Sequence, residues 1–193
     1  MENDIIRHRQ GSFLEPGQNP AVCLRCAASG TTCCRISGHD AIVAPISEIE
    51  WQEIITRVPW AAAQGFVEVE ANSPGFVEQM GLLFPRFLDG VQRAFPVGGT
   101  HLRPATDVKG QCAFSGAGGC LLPRQVRPVF CHIYPFWFNG EQLQVFSDTG
   151  CLALRDAGTV PELCQLLETT PEQLRRHYIR LCQCWGVTPS RLR

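Results

Sequence analysis

The chain has 193 residues, of which 45% are hydrophobic and 18% are charged, and its formal net charge is −1. A chain of this length can bury a substantial core without covalent cross-links. The near-zero charge gives no broad basic field for nucleic acid, and no apolar window approaches the length of a transmembrane helix. We therefore expect a single domain over residues 1–193 that binds neither nucleic acid nor membrane.

The cysteine content favours a metal protein. The first ten residues lack the apolar run of a signal peptide, so we expect a cytoplasmic protein. The chain has 11 cysteines, an odd count that would leave one thiol unpaired in a disulfide framework. Clustered cysteines in the reducing cytosol more often hold metal than form disulfides. Disulfides and simple burial of the thiols are the two lesser alternatives.

The first quarter of the chain predicts an irregular arm followed by one helix. Residues 1–20 are polar and contain several glycines and prolines. Residues 42–44 are a short apolar run that suggests a strand. Ser47 and Glu50 have the spacing of a capping box, which predicts a helix extending to about Arg57.

The middle of the chain predicts short elements. Residues 66–70 alternate between apolar and polar side chains, as in a strand. A helix is expected over residues 74–80. Residues 111–114 are interpreted as a strand that leads into a glycine-rich loop, and residues 124–131 as a turn or short helix.

A hairpin is predicted around Asn139 and Gly140. Asn-Gly accepts the positive φ values of a type I′ turn, and the flanking segments 135–138 and 141–146 favour strands. A two-stranded ribbon is weak alone, so we expect it to pack beside the metal centre or a helix.

The C-terminal part, residues 159–186, predicts helices. One begins near Val160. Another begins at Thr170, with Gln173 completing a capping box. Its apolar side chains recur at helical spacing, at Leu174, Tyr178, Leu181 and Trp185. These elements predict an α+β fold: a small cysteine-rich metal-binding domain with helices and a short antiparallel hairpin, whose cysteine-rich core spans residues 20–151.

Eight cysteines lie in segments that we interpret as loops or strand ends, where a backbone can wrap around an ion. They are the candidate metal ligands: Cys23, Cys26, Cys33, Cys34, Cys112, Cys120, Cys131 and Cys151. Two cysteines separated by two residues can direct both sulfurs at one ion, as in zinc and iron–sulfur sites. The other three, Cys164, Cys182 and Cys184, lie in helical patterns and are interpreted as packing residues.

The adjacent pair Cys33-Cys34 leaves three arrangements open. Neighbouring side chains face opposite sides of a strand and diverge by roughly 100° on a helix. The two thiols therefore serve two different sites, or both contact one multinuclear centre, or one of them is a bystander.

An ordered set of motifs over about residues 20–151 resembles the bacterial CxxCxxCC-type family of zinc- or iron-chelating domains. The motifs are Cys23-x2-Cys26, the Cys33-Cys34 doublet, Gly110-x-Cys112, Cys120, Arg127-Pro128-x2-Cys131 and Tyr134-Pro135-Phe136. The resemblance implies a metal-binding domain. A related cysteine-rich segment in flagellin lysine N-methylases suggests a link to protein modification.

The chain departs from that family at two points. Six residues separate Cys26 from Cys33, a longer gap than the family's name indicates. His132 follows Cys131 where the family tends to have arginine. A histidine here is more often a surface or hydrogen-bonding residue than an added ligand, and both alternatives are open.

The number of thiols favours an iron–sulfur cluster as the cofactor, because eight exceed the four that one closed zinc site uses. A redox or protein-modification role is the extension of this hypothesis. The alternatives are a zinc-stabilised binding module without catalysis and a metal-delivery protein. The expected partner is the metal ion or cluster, with a protein partner as a further candidate. The sequence leaves catalytic activity undecided, because it contains no nucleophile triad or nucleotide-binding loop.

Overall fold

The computed structural model describes residues 19–29, 34, 45–63, 65–148 and 150–187. These ranges combine eight α-helices with three two-stranded antiparallel sheets, which confirms the predicted α+β class. The helices are α1 (Ala21–Ser29), α2 (Glu48–Arg57), α3 (Pro74–Leu83), α4 (Leu88–Ala94), α5 (Val129–Ile133), α6 (Leu152–Asp156), α7 (Val160–Leu166) and α8 (Pro171–Cys184). The strands are β1 (Val67–Ala71), β2 (Thr100–Pro104), β3 (Ser115–Gly116), β4 (Gly119–Cys120), β5 (Phe136–Asn139) and β6 (Gln142–Val145).

The helix starts predicted from capping signals are confirmed. The Glu50 amide donates to Ser47 Oγ at 3.2 Å, and the Ser47 amide donates back to Glu50 Oε2 at 2.9 Å. Thr170 and Gln173 form the same reciprocal pair at α8. Each cap satisfies amides that the first helical turn leaves without intrahelical partners.

The carboxylate of Glu50 has a second role that the capping pattern does not reveal. Its Oε1 accepts the amide of Val129 at 2.7 Å, so one buried side chain joins α2 to the start of α5. Glu50 is only 3% exposed. A buried carboxylate needs such partners, because an unpaired one would be expensive to remove from water.

Two further predicted elements are confirmed with small changes in their bounds. The strand expected at 66–70 is β1, shifted by one residue, and it pairs antiparallel with β2. The helix expected at 74–80 continues three residues further, as α3. The strand expected at 42–44 lies outside the described residues, as does nearly all of the irregular arm predicted at 1–20.

The strand predicted at 111–114 is wrong. Cys112 makes only an isolated bridge to Thr106, and the chain forms its hairpin later, as β3 and β4. Gly119 has a φ of +94°, so this loop turns back tightly through a conformation that glycine tolerates. The hairpin reverses the direction of the chain with only two paired residues in each strand.

The second hairpin is confirmed, but its turn is displaced by one residue. Asn139 pairs with Gln142, which makes Gly140 and Glu141 the two turn residues. Positive φ occurs at Gly140 and not at Glu141, as in a type II′ turn rather than type I′. The hairpin packs against α8, where Phe138 contacts Tyr178 with ring centroids 5.3 Å apart.

The apolar side chains form two clusters. The larger one is built on α3, α4, α5, α8 and β5, and includes Phe84, Trp137 and Leu181. The smaller one contains Ile54 and Phe114 and lies beneath α2 and the loop that carries β3 and β4. None of the helices in the described ranges has the length and apolar character needed to cross a membrane.

Replacing Glu50 tests how strongly the fold depends on this buried carboxylate. Glu50→Ala removes a cap, worth about 1 kcal/mol, and leaves the buried Val129 amide unpaired, at about 1–3 kcal/mol. We expect urea unfolding to show a loss of about 2–4 kcal/mol. Glu48→Ala, on the exposed side of the same helix, should change stability by less than about 0.5 kcal/mol. Equal effects of the two variants would contradict the role given to Glu50.

Candidate metal centre

Two of the predicted ligands lie on a helix rather than in a loop. Cys23 and Cys26 are in α1, and their spacing of three residues puts both thiols on one face. The loop prediction was wrong here because a spacing of three residues suits a helical turn as well as a tight loop. Cys131 is also helical, in α5.

Cys151 lies beside α1, at the N-terminal cap of α6. Arg25 of α1 donates to Asp156 of α6 at 2.6 Å, which ties the two helices together. Cys26 and Cys151 are each 8% exposed, whereas Cys23 is partly exposed.

Cys112 and Cys120 come together with Cys34. The Cys112 amide donates to the carbonyl of Cys34 at 2.7 Å. Cys120 ends β4 and pairs with Ser115 across the small hairpin. Both Cys112 and Cys120 pack against the smaller apolar cluster, whereas Cys23 packs against the larger one.

Electrostatic interactions divide the described candidate thiols into two groups. In the first, which we call the thiol quartet, every pair of members interacts; it consists of Cys34, Cys112, Cys120 and Cys131. In the second, the thiol triad, every pair also interacts; it consists of Cys23, Cys26 and Cys151. Cys23 also interacts with Cys34, so the two groups are neighbours.

Burial is the main cause of the raised thiol pKa values, because it disfavours the thiolate. It raises the pKa of Cys112 to about 12 and those of Cys23 and Cys120 to about 11. The neighbouring thiols raise these values further. In the metal-free protein at neutral pH, these thiols are therefore protonated.

Cys131 combines solvent exposure with strong desolvation. Its surface is accessible to water, yet protein surrounds the thiol closely enough that burial raises its pKa well above 9.0. Cys120, Cys34 and Cys112 add to the rise. The residue therefore lies at the surface, while its thiol is surrounded by protein.

The thiols are neighbours but do not form a ready coordination shell. In the part of the chain that the structure describes, no three His, Cys, Asp or Glu side chains lie close enough together to hold a metal ion. Cys33, the eighth predicted ligand, lies outside the described residues. The donor set nonetheless fits a metal centre in chemical type, since four neighbouring thiols match the ligand set of zinc and iron–sulfur sites.

His132 stacks on another histidine. Its ring lies 4.5 Å from that of His177 in α8, centroid to centroid, with 9° between the planes. Burial, followed by His177 and then by nearby arginines that include Arg127, lowers the pKa of His132 to about 3. The stacked imidazole is neutral at physiological pH and packs α5 against α8.

The three cysteines predicted to pack in helices do so. Cys164 is 5% exposed and Cys182 is fully buried in the larger cluster. Cys184 is partly exposed and packs against the same cluster.

Sequence reasoning missed Asn19, a polar residue that is only 7% exposed. Its side chain accepts from Arg127 Nη2 at 2.7 Å and donates to the carbonyl of Gly118 at 3.1 Å. These contacts span about a hundred residues of chain, so no local pattern marks them. The only available signal was the Arg127-Pro128 motif close to Cys131.

Comparison with known proteins found no matching family model, no matching curated relative and no matching solved structure. The structure itself establishes a cysteine-rich α+β protein. The resemblance to the CxxCxxCC-type family is an expectation from the motifs alone.

The raised thiol pKa values predict how stability depends on pH. A thiol whose pKa rises on folding stabilises the native state below its unfolded pKa, and this contribution is lost as the pH rises towards the folded pKa. We expect the free energy of unfolding of the reduced, metal-free protein to fall between pH 9 and 12, the range set by the unshifted value of 9.0 and that of Cys112. Urea unfolding across this range is the measurement.

Cys112→Ala should weaken that fall, because it removes the thiol whose pKa is raised to about 12. A stability that stays level up to pH 11 in the wild type would show that these thiols are not desolvated.

Proposed function

We propose that this protein binds an iron–sulfur cluster through its clustered cysteines. The observation that supports the proposal is the thiol quartet, in which the thiol of Cys131 interacts with those of Cys34, Cys112 and Cys120, and the Cys112 amide donates to the Cys34 carbonyl. The quartet draws its members from separate parts of the chain, so binding there would close long loops. Four cysteine thiolates are the usual ligand set of such clusters.

The number of thiols supports a cluster over a single zinc ion. One closed zinc site uses four ligands, whereas the seven described candidates form two neighbouring groups. Additional thiols beside the quartet suit either a multinuclear centre or a second one.

The chain's contribution to such a centre would be to hold thiols and exclude water. Cys112 and Cys120 pack against apolar side chains, and the polarity of such surroundings tunes the potential of a bound cluster. A bound cluster supplies one-electron transfer. A redox or protein-modification role is the proposed extension of that chemistry.

Two observations favour specific alternatives. The quartet alone has the number of ligands that a structural zinc ion needs, which favours a zinc-stabilised binding module. The position of Cys131 at the surface favours metal delivery, because a labile site has to lie close to solvent.

Purification without oxygen distinguishes the cluster from zinc. The wild type should be brown and contain iron with acid-labile sulfide, and reduction should bleach its visible absorption. Metal analysis, sulfide assay and absorption spectroscopy are the measurements. A colourless preparation with stoichiometric zinc, and no cluster after reconstitution with iron and sulfide, would contradict the proposal and leave the zinc module.

Single cysteine variants test the assignment of ligands. Cys131→Ser and Cys26→Ser remove one thiol from the quartet and one from the triad, so each should lower the metal content and the soluble yield. Because metal binding contributes to folding free energy, thermal unfolding should occur at a lower temperature as well.

Cys184→Ser is the matched control, since Cys184 is partly exposed and belongs to neither thiol group. It should keep the wild-type metal content. Equal metal content in all three variants would count against the ligand assignment.

A further inference from the structure

Arg127 makes hydrogen bonds to segments that adjoin the two thiol groups. It lies between Cys120 and Cys131, in an extended conformation that the following Pro128 favours. Its Nε donates to the carbonyl of Leu122 at 3.1 Å, and its Nη2 donates to Asn19 Oδ1 at 2.7 Å. The guanidinium is thereby fixed at two points.

Asn19 extends this connection to the hairpin that ends in Cys120. Its Nδ2 donates to the carbonyls of Gly118 at 3.1 Å and Cys120 at 3.4 Å. The side chain lies directly over Gly119, where a Cβ would meet Asn19 atoms at 3.1–3.2 Å. The close fit therefore depends on glycine at that position.

Together the two side chains form what we call the Asn19–Arg127 clasp. Asn19 is two residues before the start of α1, which carries Cys23, and Arg127 is two residues before α5, which carries Cys131. The clasp thus joins the entry to the triad's helix, the quartet's hairpin and the quartet's helix.

The charge of Arg127 acts on both thiol groups. Burial dominates the pKa values of Cys23, Cys120 and Cys131, and Arg127 opposes the rise at each of these three. The neighbouring Arg124 has different partners, because its guanidinium donates to Glu168 and to the Leu167 carbonyl.

The geometry points to Arg127 as a positioning residue for the metal centre: the clasp fixes the relative placement of the two thiol groups, and the guanidinium offsets negative charge when their thiolates bind metal. This inference rests on the proposed function, since it concerns the same cysteines. Several thiolates around one centre leave a net negative charge, which a fixed cation stabilises. Arginine suits this role because its planar fork can donate in fixed directions while keeping its charge.

The test compares four variants of the full-length protein that separate charge from geometry. Arg127→Gln removes the charge, Arg127→Lys keeps the charge but loses the fork, and Asn19→Ala removes the clasp without changing the charge. Arg124→Gln is the matched control. Each variant is first checked by far-UV circular dichroism and urea unfolding.

Two quantities are then measured: the affinity for Co²⁺, from its thiolate charge-transfer absorption, and the reduction potential of the reconstituted cluster. Loss of a residue that orients ligands typically lowers metal affinity about 10–100-fold, and we expect this for Arg127→Gln and Asn19→Ala. The potential should become more negative in Arg127→Gln, because the reduced cluster carries more negative charge. It should stay closer to wild type in Arg127→Lys and Asn19→Ala.

The outcomes are distinguishable. A wild type that binds neither Co²⁺ nor a cluster overturns the proposed function, and this inference with it. A wild type that binds metal, with Arg127→Gln matching Arg124→Gln in both affinity and potential, overturns the inference alone. Reduced affinity with an unchanged potential in Arg127→Gln would limit Arg127 to a structural role and overturn the charge assignment.

Discussion

The buried carboxylate of Glu50 is the interaction on which the arrangement of the other elements depends. It caps the first turn of α2 together with Ser47, and it accepts a hydrogen bond from the amide of Val129 at the start of α5. A carboxylate removed from water must find such donors, so it specifies where α5 begins relative to α2. Cys131 lies two residues after Val129, so the same contact helps to place its thiol, which interacts with that of Cys120.

The thiols illustrate how a small protein can bring distant segments together without extensive sheets. The strands are short, and the sheets contain two strands each in the described ranges. Two-stranded ribbons contribute little stability by themselves, so helices and side-chain hydrogen bonds must hold the segments in place. The Asn19–Arg127 clasp and the Arg25–Asp156 ion pair are contacts of this kind. A metal centre at these thiols would therefore depend on the neighbouring helices and side-chain hydrogen bonds more than on the short sheets.

The features that could be predicted from the sequence are those encoded within a few residues. The capping boxes at Ser47 and Thr170 each require a partner three residues away, and the hairpin requires a turn around Gly140. The interactions that assemble the site join residues far apart: Glu50 and Val129 are separated by 79 positions, and Asn19 and Arg127 by 108. Pairs so far apart in the sequence produce no periodic pattern of residues from which the contact could be predicted. The error at Cys23 and Cys26 has a local cause, because their spacing fits both a helix and a loop.

The exposed but desolvated position of Cys131 has a consequence for its chemical reactivity. The residue as a whole is exposed, yet burial of its thiol and the neighbouring thiols raise the pKa well above 9.0. Electrophiles and oxidants react with the thiolate rather than the thiol. Exposure of the residue and reactivity of its sulfur are thus separated: the thiol stays protonated at neutral pH, and the protonated form is a poor nucleophile. In the metal-free protein, protonation would therefore disfavour oxidation of Cys131 even though the residue lies at the surface.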